Sequence, residues 1–257
     1  MKLMSSLITS VGLFVSAWCS QALAQDEGGA PQMVPAEIYT CNYLKGRDRS
    51  DLDKVIARWN TWSDAHDPAS YRAWVLTPNF VASDIDFDVA WLGVWPAYAD
   101  MGRSLQTWRD IGGEMNAEFF RVFSCDQHSS MTVQPLQAPS DPLEKSVVRF
   151  GDCTLAEGAG REQVLAAHRK FHKYMSSKGS DTLAWMFYPG MGAGDIDFDY
   201  KLVLASSDYN SLAKDLDIFT NGGGWKELGK ILSDKVSCDS FRLYEADLVR
   251  NYTATAR

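Results

Sequence analysis

Two histidines, His168 and His172, stand four residues apart in a stretch of helical periodicity, so they share one helix face. That spacing suits a pair of metal ligands, but the intervening Arg169-Lys170-Phe171 lacks the glutamate of a zinc protease. A lone helical histidine is more often a surface or internally satisfied residue. His172 is also a candidate acid/base or proton acceptor in a pocket, with Tyr188 or Tyr209 as a hydroxyl partner. One helical histidine can serve as a proximal haem ligand, yet no motif supports that role and the sequence implies no cofactor. A second constellation is acidic. Asp84, Asp86 and Asp88 alternate along an extended segment, and Asp195, Asp197 and Asp199 repeat the pattern. Three carboxylates on one side could hold calcium. The segment is not an EF-hand, because Val89 and Tyr200 stand where that loop needs glycine. The plainer reading is an acidic hairpin whose carboxylates cap backbone amides around a buried phenylalanine.

Tryptophan is unevenly spread. Trp59, Trp62, Trp74, Trp91, Trp95 and Trp108 lie in the first half, against Trp185 and Trp225 in the second. Such bulk makes a core, or it lines a pocket for an aromatic or apolar ligand. In the pocket reading Trp59, Trp62, Trp91, Trp95 and Tyr98 form the walls, and the second half adds His172 and Tyr174. Gly190-x-Gly192-x-Gly194 joins two strand-like runs and opens no helix, so it is a turn and not a phosphate loop.

The elements that must position these residues are legible from an internal repeat. Asp-Ile-Asp-Phe-Asp at 84–88 recurs 111 residues later at 195–199. The same offset relates Trp74 to Trp185, Pro78 to Pro189 and Gly112-Gly113 to Gly223-Gly224. Upstream an offset of 112 pairs Cys41 with Cys153 and Trp59 with Phe171, and downstream one of 113 pairs Cys125 with Cys238. Ordered offsets of this kind mark one duplicated unit with two short indels. Each unit then owns a cysteine near each end, which favours the disulfides Cys41–Cys125 and Cys153–Cys238 and leaves no thiol nucleophile.

Within each unit the pattern reads β-α-β-β-α-β. The first copy has strands at 36–44, 71–80, 87–95 and 119–126, and helices after Ser50, an N-cap candidate, and at 99–111. In that plan the first and last strands are neighbours, which lets the two cysteines meet. The third strand is apolar on both faces: Val89, Trp91 and Trp95 share one parity, Ala90, Leu92 and Val94 the other. Helices of its own unit cover only one face, so the other is expected against the second copy. The fold expected is therefore α+β, with two βαββαβ ferredoxin-like repeats packed sheet to sheet as an intramolecular pseudo-dimer. This arrangement, with a Gly/Asp-rich turn running into Asp-x-Asp-Phe-Asp, resembles the dimeric α+β barrel superfamily in tandem form. That superfamily holds cofactor-free monooxygenases, polyketide cyclases, haem enzymes and ligand-binding units. The resemblance implies a pocket between sheet and helices in each unit, and fold alone does not choose among those roles.

Residues 1–24 read as an export signal, with Lys2, an apolar run and an Ala22-Leu23-Ala24 cleavage site, leaving no membrane anchor afterwards. The remaining plan is a flexible mature terminus at 25–35, repeat 1 at 36–133, a Pro-rich linker at 134–146 and repeat 2 at 147–250. Four cysteines after the leader fit a periplasmic or secreted protein. A formal charge of −8 argues against nucleic acid and anionic lipid. The partner expected is a small apolar ligand. With the repeats pairing on each other, the protein is expected to be a monomer or weak dimer. Three roles compete: a protein that binds or processes a small apolar or aromatic molecule, a cofactor-independent monooxygenase or cyclase using His172, and a structural module.

Overall fold

The computed structural model describes residues 32–83, 85–139 and 141–252. The proposed leader and Asp84 lie outside them. The first half contains β1 (Val34–Tyr43), α1 (Arg49–His66), β2 (Tyr71–Phe80), β3 (Val89–Val94), α2 (Tyr98–Ile111), α3 (Gly113–Phe119) and β4 (Phe123–Gln137). The second contains β5 (Lys145–Leu155), α4 (Arg161–Ser177), β6 (Leu183–Pro189), β7 (Tyr200–Ser206), α5 (Tyr209–Thr220), α6 (Gly224–Leu232), β8 (Val236–Cys238) and β9 (Arg242–Tyr252).

Local chemistry accounts for these boundaries. Asp48, not Ser50, caps α1: its carboxylate accepts from the Ser50 and Asp51 amides. Leu52, Val55, Ile56 and Trp59 then bury one helical face. Each half has one helix more than expected. The glycines at 112–113 and 222–224 interrupt the second helix without ending helical structure, because Met115 and the Ile231–Leu232 pair bring further apolar side chains to the core. Gly223 has φ of 88°, a left-handed conformation natural to glycine. The expected last strand of the second half is split. The Asp239 carboxylate accepts from the Asp152 amide while its own amide bonds the Asp152 carbonyl, which turns the chain between β8 and β9.

All strand pairs are antiparallel and run in the order β7-β6-β4-β1-β3-β2-β9-β5, with β5–β7 pairing closing an eight-stranded barrel and β8 extending from β5. The halves are joined by strand pairing as well as by packing, which corrects the expected sheet-on-sheet contact. β4 is 15 residues long and outruns β1, and its far end pairs with β6. β9 likewise pairs with both β5 and β2. Closure leaves the barrel without open edges. The linker is correspondingly shorter than 134–146. Gln134–Gln137 belong to β4, Lys145 and Ser146 to β5, and the ladder absorbs Pro135 at an irregularity before Gln137. β1 starts at Val34 and β9 runs to Tyr252, so strand structure also extends past the expected limits at 36 and 250.

The two disulfides form as expected, Cys41–Cys125 between β1 and β4 and Cys153–Cys238 between β5 and β8, each joining directly registered residues. The doubly apolar third strand finds both its partners. Ala90 and Leu92 point into the barrel core with Leu76, Val133, Val148 and Val203, while Val89, Trp91 and the nearby Trp95 pack under α1. Among the described residues, no helix is long and apolar enough to cross a membrane.

Candidate functional site

The outer face of the barrel sheet meets helices twice, once in each half, and the two contacts differ. In the second half a cavity of about 640 Å³ lies between β5, β7 and β9 on one side and α4, α5 and α6 on the other. Leu202, Leu204, Leu212, Leu216, Phe219 and Leu228 give it a mainly apolar wall. His168, His172, Arg149 and Asp215 break that wall, and Thr182, Ser233 and Asp239 also border it.

His172 is 6% exposed, and its Nε2 has no hydrogen-bond partner. Burial is the main reason its pKa falls to about 4; the Arg149 charge adds to the fall and Asp215 opposes it. The imidazole is therefore neutral at pH 7. His168 is also neutral, pushed down to about 3 by burial and by its neighbour His172. Its Nε2 shares a 2.7 Å hydrogen bond with the Tyr200 hydroxyl, while its Nδ1 is unpartnered. Arg149 donates to Asp215 at 2.8 Å, Ser180 donates to the other Asp215 oxygen at 2.5 Å, and Arg149 Nε is left without a partner. The site thus offers a balanced buried ion pair, one open guanidinium N–H and two open imidazole nitrogens, His172 Nε2 and His168 Nδ1.

The sequence pointed to His172 and His168 but not to Arg149, Asp215 or Tyr200. Two signals were present. Arg149 interrupts the apolar run Val147-Val148-Arg149-Phe150, and Asp215 falls on the stripe Leu212, Leu216, Phe219. The tyrosines expected beside His172 are elsewhere. Tyr188 lies under the Arg161 guanidinium with its hydroxyl toward Met186 Sδ. Tyr209 is 43% exposed and donates to Glu245, which with partial burial raises its pKa to about 12. Tyr174 packs between α4 and α6 beside Lys178 and does not line the cavity.

In the first half the corresponding space is nearly full. A cavity of about 120 Å³ remains, bordered by Trp59, Trp62, Trp91, Trp95 and Trp108. Cys41 faces Val89 across β1–β3 as Cys153 faces Tyr200 across β5–β7, so Trp91 and Leu202 hold equivalent positions, as do Tyr39 and Gly151. Tyr71 likewise takes the place that Thr182 holds by the 111-residue offset. Three larger side chains thus fill in one half what stays open in the other. The four tryptophans expected to wall a pocket do meet one another, but not His172, which belongs to the other cavity. Tyr98 is 54% exposed, bonds Thr132 at 2.8 Å, and borders neither.

At the base of the smaller cavity Glu37, equivalent to Arg149, accepts from the Tyr71 hydroxyl at 2.7 Å and contacts His128 Nε2 at 3.0 Å. The Trp91 indole donates to the same Tyr71 oxygen at 2.8 Å. Gly93 makes this possible, since a Cβ there would lie 1.9 Å from the Tyr71 hydroxyl. A third cavity, about 410 Å³, occupies the barrel interior beneath Pro139, Pro142 and Leu143 and is lined by Trp74 and Trp185.

The described aspartates of the two acidic triplets serve the hairpins. Asp88 accepts from the Tyr43 amide and Asp199 from the Leu155 amide, while Asp86 and Asp197 present backbone carbonyls to Asn42 and Thr154. Among the described residues, Asp195 included, no group of three or more His, Cys, Asp or Glu could hold a metal ion.

Three solved structures share the architecture. A provisionally designated monooxygenase from Lactobacillus acidophilus has TM-score 0.55 at 10% identity, over 86% of this chain and 96% of that one. Another provisional monooxygenase, from Fusobacterium nucleatum subsp. nucleatum, has TM-score 0.52 at 9% identity over the same shares. A provisionally designated chlorite dismutase has TM-score 0.51 at 10% identity, over 85% and 96%. The likeness is one of fold, an α+β barrel. No family model matches the sequence, and no curated protein matches it.

Proposed function

We infer that this chain is an exported protein that binds or processes a small, largely apolar molecule in the 640 Å³ cavity of its second half, with His172 as the polar anchor. The observation that carries the reading is the unpartnered, neutral Nε2 of His172 inside that cavity. A buried polar nitrogen without a partner costs free energy unless a ligand or water meets it. Export rests on the leader at 1–24 and on the two disulfides. We also take the two halves to be copies of one unit, the second having kept its cavity open, and the chain to act as a monomer or weak dimer.

The chemistry of His172 ranks the possible roles. A pKa of about 4 makes it a weak general base at neutral pH, which disfavours a cofactor-free proton abstraction. The same neutral imidazole, with a free nitrogen in an apolar cavity, would suit a ligand to a haem iron. Haem enzymes belong to the superfamily that the sequence resembles. In this second reading His172 would hold the iron and the leucine wall would hold the macrocycle. The iron would supply redox or ligand-exchange chemistry, while the chain's part is to exclude water and keep Arg149 and Asp215 fixed nearby.

Native followed by denaturing mass spectrometry of the purified protein, with a hemin titration read by absorbance, tests both readings. A non-covalent organic mass, diminished when Leu202→Trp crowds the cavity, supports the first. A Soret band that forms on hemin addition and is lost in His172→Ala supports the second. Neither a bound mass nor a His172-dependent band would overturn both and favour a structural module.

A further inference from the structure

The small cavity of the first half is chemically unlike the large one. It is walled by aromatic rings, and its only ionisable side chains of full charge are the acids Glu37 and Asp67. No lysine or arginine borders it. Its ring planes meet at corners: Trp62 and Trp108 are 5.4 Å apart at 87°, and Trp59 and Trp91 are 5.2 Å apart at 81°. In each pair the edge of one ring meets the face of the other, so rings of different orientation border one volume. The Arg250 guanidinium already stands over Trp59, 5.5 Å from its centroid, and His66 stacks on one face of Trp62 at 5.2 Å, so the free faces are assigned to Trp91, Trp95, Trp108 and the other side of Trp62.

The carboxylates stand at two places on the wall. Glu37 is 8% exposed and held by Tyr71 and His128. Asp67 is 9% exposed and accepts from the Ala69 amide at 2.9 Å and Ser104 Oγ at 2.5 Å. Trp95 is buried, borders this cavity, and its indole N–H has no partner. The volume is about 120 Å³. For scale, an apolar cavity of about 150 Å³ accepts benzene, so the space suits one compact group. The rim carries Leu105 and the half-exposed Phe120, which leaves an entrance.

Aromatic rings and buried carboxylates, with no lysine or arginine in the lining itself, are the recognition chemistry of a small organic cation. We propose that this cavity is a binding site for a compact quaternary or methylated ammonium group, caged by the four tryptophans and neutralised by Glu37 and Asp67. The site is separate from the cavity of the second half. It takes a charged ligand where that one takes an apolar molecule.

The test uses the full mature chain. Choline chloride and tetramethylammonium chloride are titrated at constant ionic strength, with tryptophan fluorescence and calorimetry as readouts. 3,3-Dimethylbutan-1-ol, the uncharged isostere of choline, is the control. Both cations should bind saturably, and the alcohol should bind at least roughly tenfold more weakly, the factor expected of a desolvated cation–π site. Glu37→Gln, which keeps a carbonyl acceptor for Tyr71, should weaken the cations about tenfold. Trp62→Leu, at a half-buried ring, should weaken them several-fold and serves alone if Glu37→Gln does not fold. Absence of saturable cation binding up to roughly 50 mM, or equal binding of the alcohol, would overturn the proposal. So would unchanged affinity in folded variants.

Discussion

His172 and His168 are kept neutral by burial, and the consequence is a stability that depends on pH. Their folded pKa values, about 4 and about 3, lie below the ordinary 6.5. Between these limits the unfolded chain binds protons that the folded chain refuses, so stability falls as pH drops from about 6.5 toward 4. Each histidine contributes up to roughly 3 kcal/mol of that loss. Denaturant midpoints measured across this range should drop with acid, and His172→Leu should flatten the slope by about one proton. Arg149 and Asp215 give a second expectation. Either single change, Arg149→Met or Asp215→Asn, strands a buried charge and should cost about 3–5 kcal/mol. The double variant should cost clearly less than the two added, which a double-mutant cycle measures.

Among the elements, the third strand of each half helps to set how large its cavity is. β3 carries Trp91 and β7 carries Leu202 at the equivalent register. Leu202→Trp should narrow the large cavity, raise the melting temperature slightly and weaken ligand uptake there; calorimetry with and without ligand checks both effects. The staples act at this scale too. Each closes a loop spanning 84 or 85 residues, so chain entropy assigns each roughly 4–5 kcal/mol. Denaturation with reductant present should therefore shift to much lower denaturant, and Cys153→Ser/Cys238→Ser should reproduce part of that shift in its absence.

At the scale of the whole molecule, the barrel belongs to neither half. β4 pairs with β6 and β9 with β2, so a separated half would expose two unpaired strand edges and the apolar barrel interior. Residues 32–139 expressed alone should dimerise or aggregate, and size-exclusion chromatography with light scattering reads the outcome. A stable, soluble monomer of that fragment would mean that closure contributes little.

The sequence by itself determined the α+β plan, the neighbouring first and last strands, the disulfide pairing and the two apolar faces of β3. Each rests on a local period or on an internal comparison that needs no coordinates. It did not reveal α3 or α6, because glycines that interrupt a helix look the same in a one-dimensional pattern as glycines that end it. It placed Trp59, Trp62, Trp91 and Trp95 together but joined them to His172 and Tyr174 as well. Spacing along a chain cannot say on which side of a closed barrel two helices land. The sequence had the tryptophans in one half and the histidines in the other; only the tertiary structure showed that they line separate cavities, and it alone showed Arg149 and Asp215 facing each other. That decision follows from barrel closure. Long terminal strands pair across the halves, the apolar faces of both sheets turn inward, and the helices are left outside to cover two separate spaces, one filled with aromatic bulk and one left open.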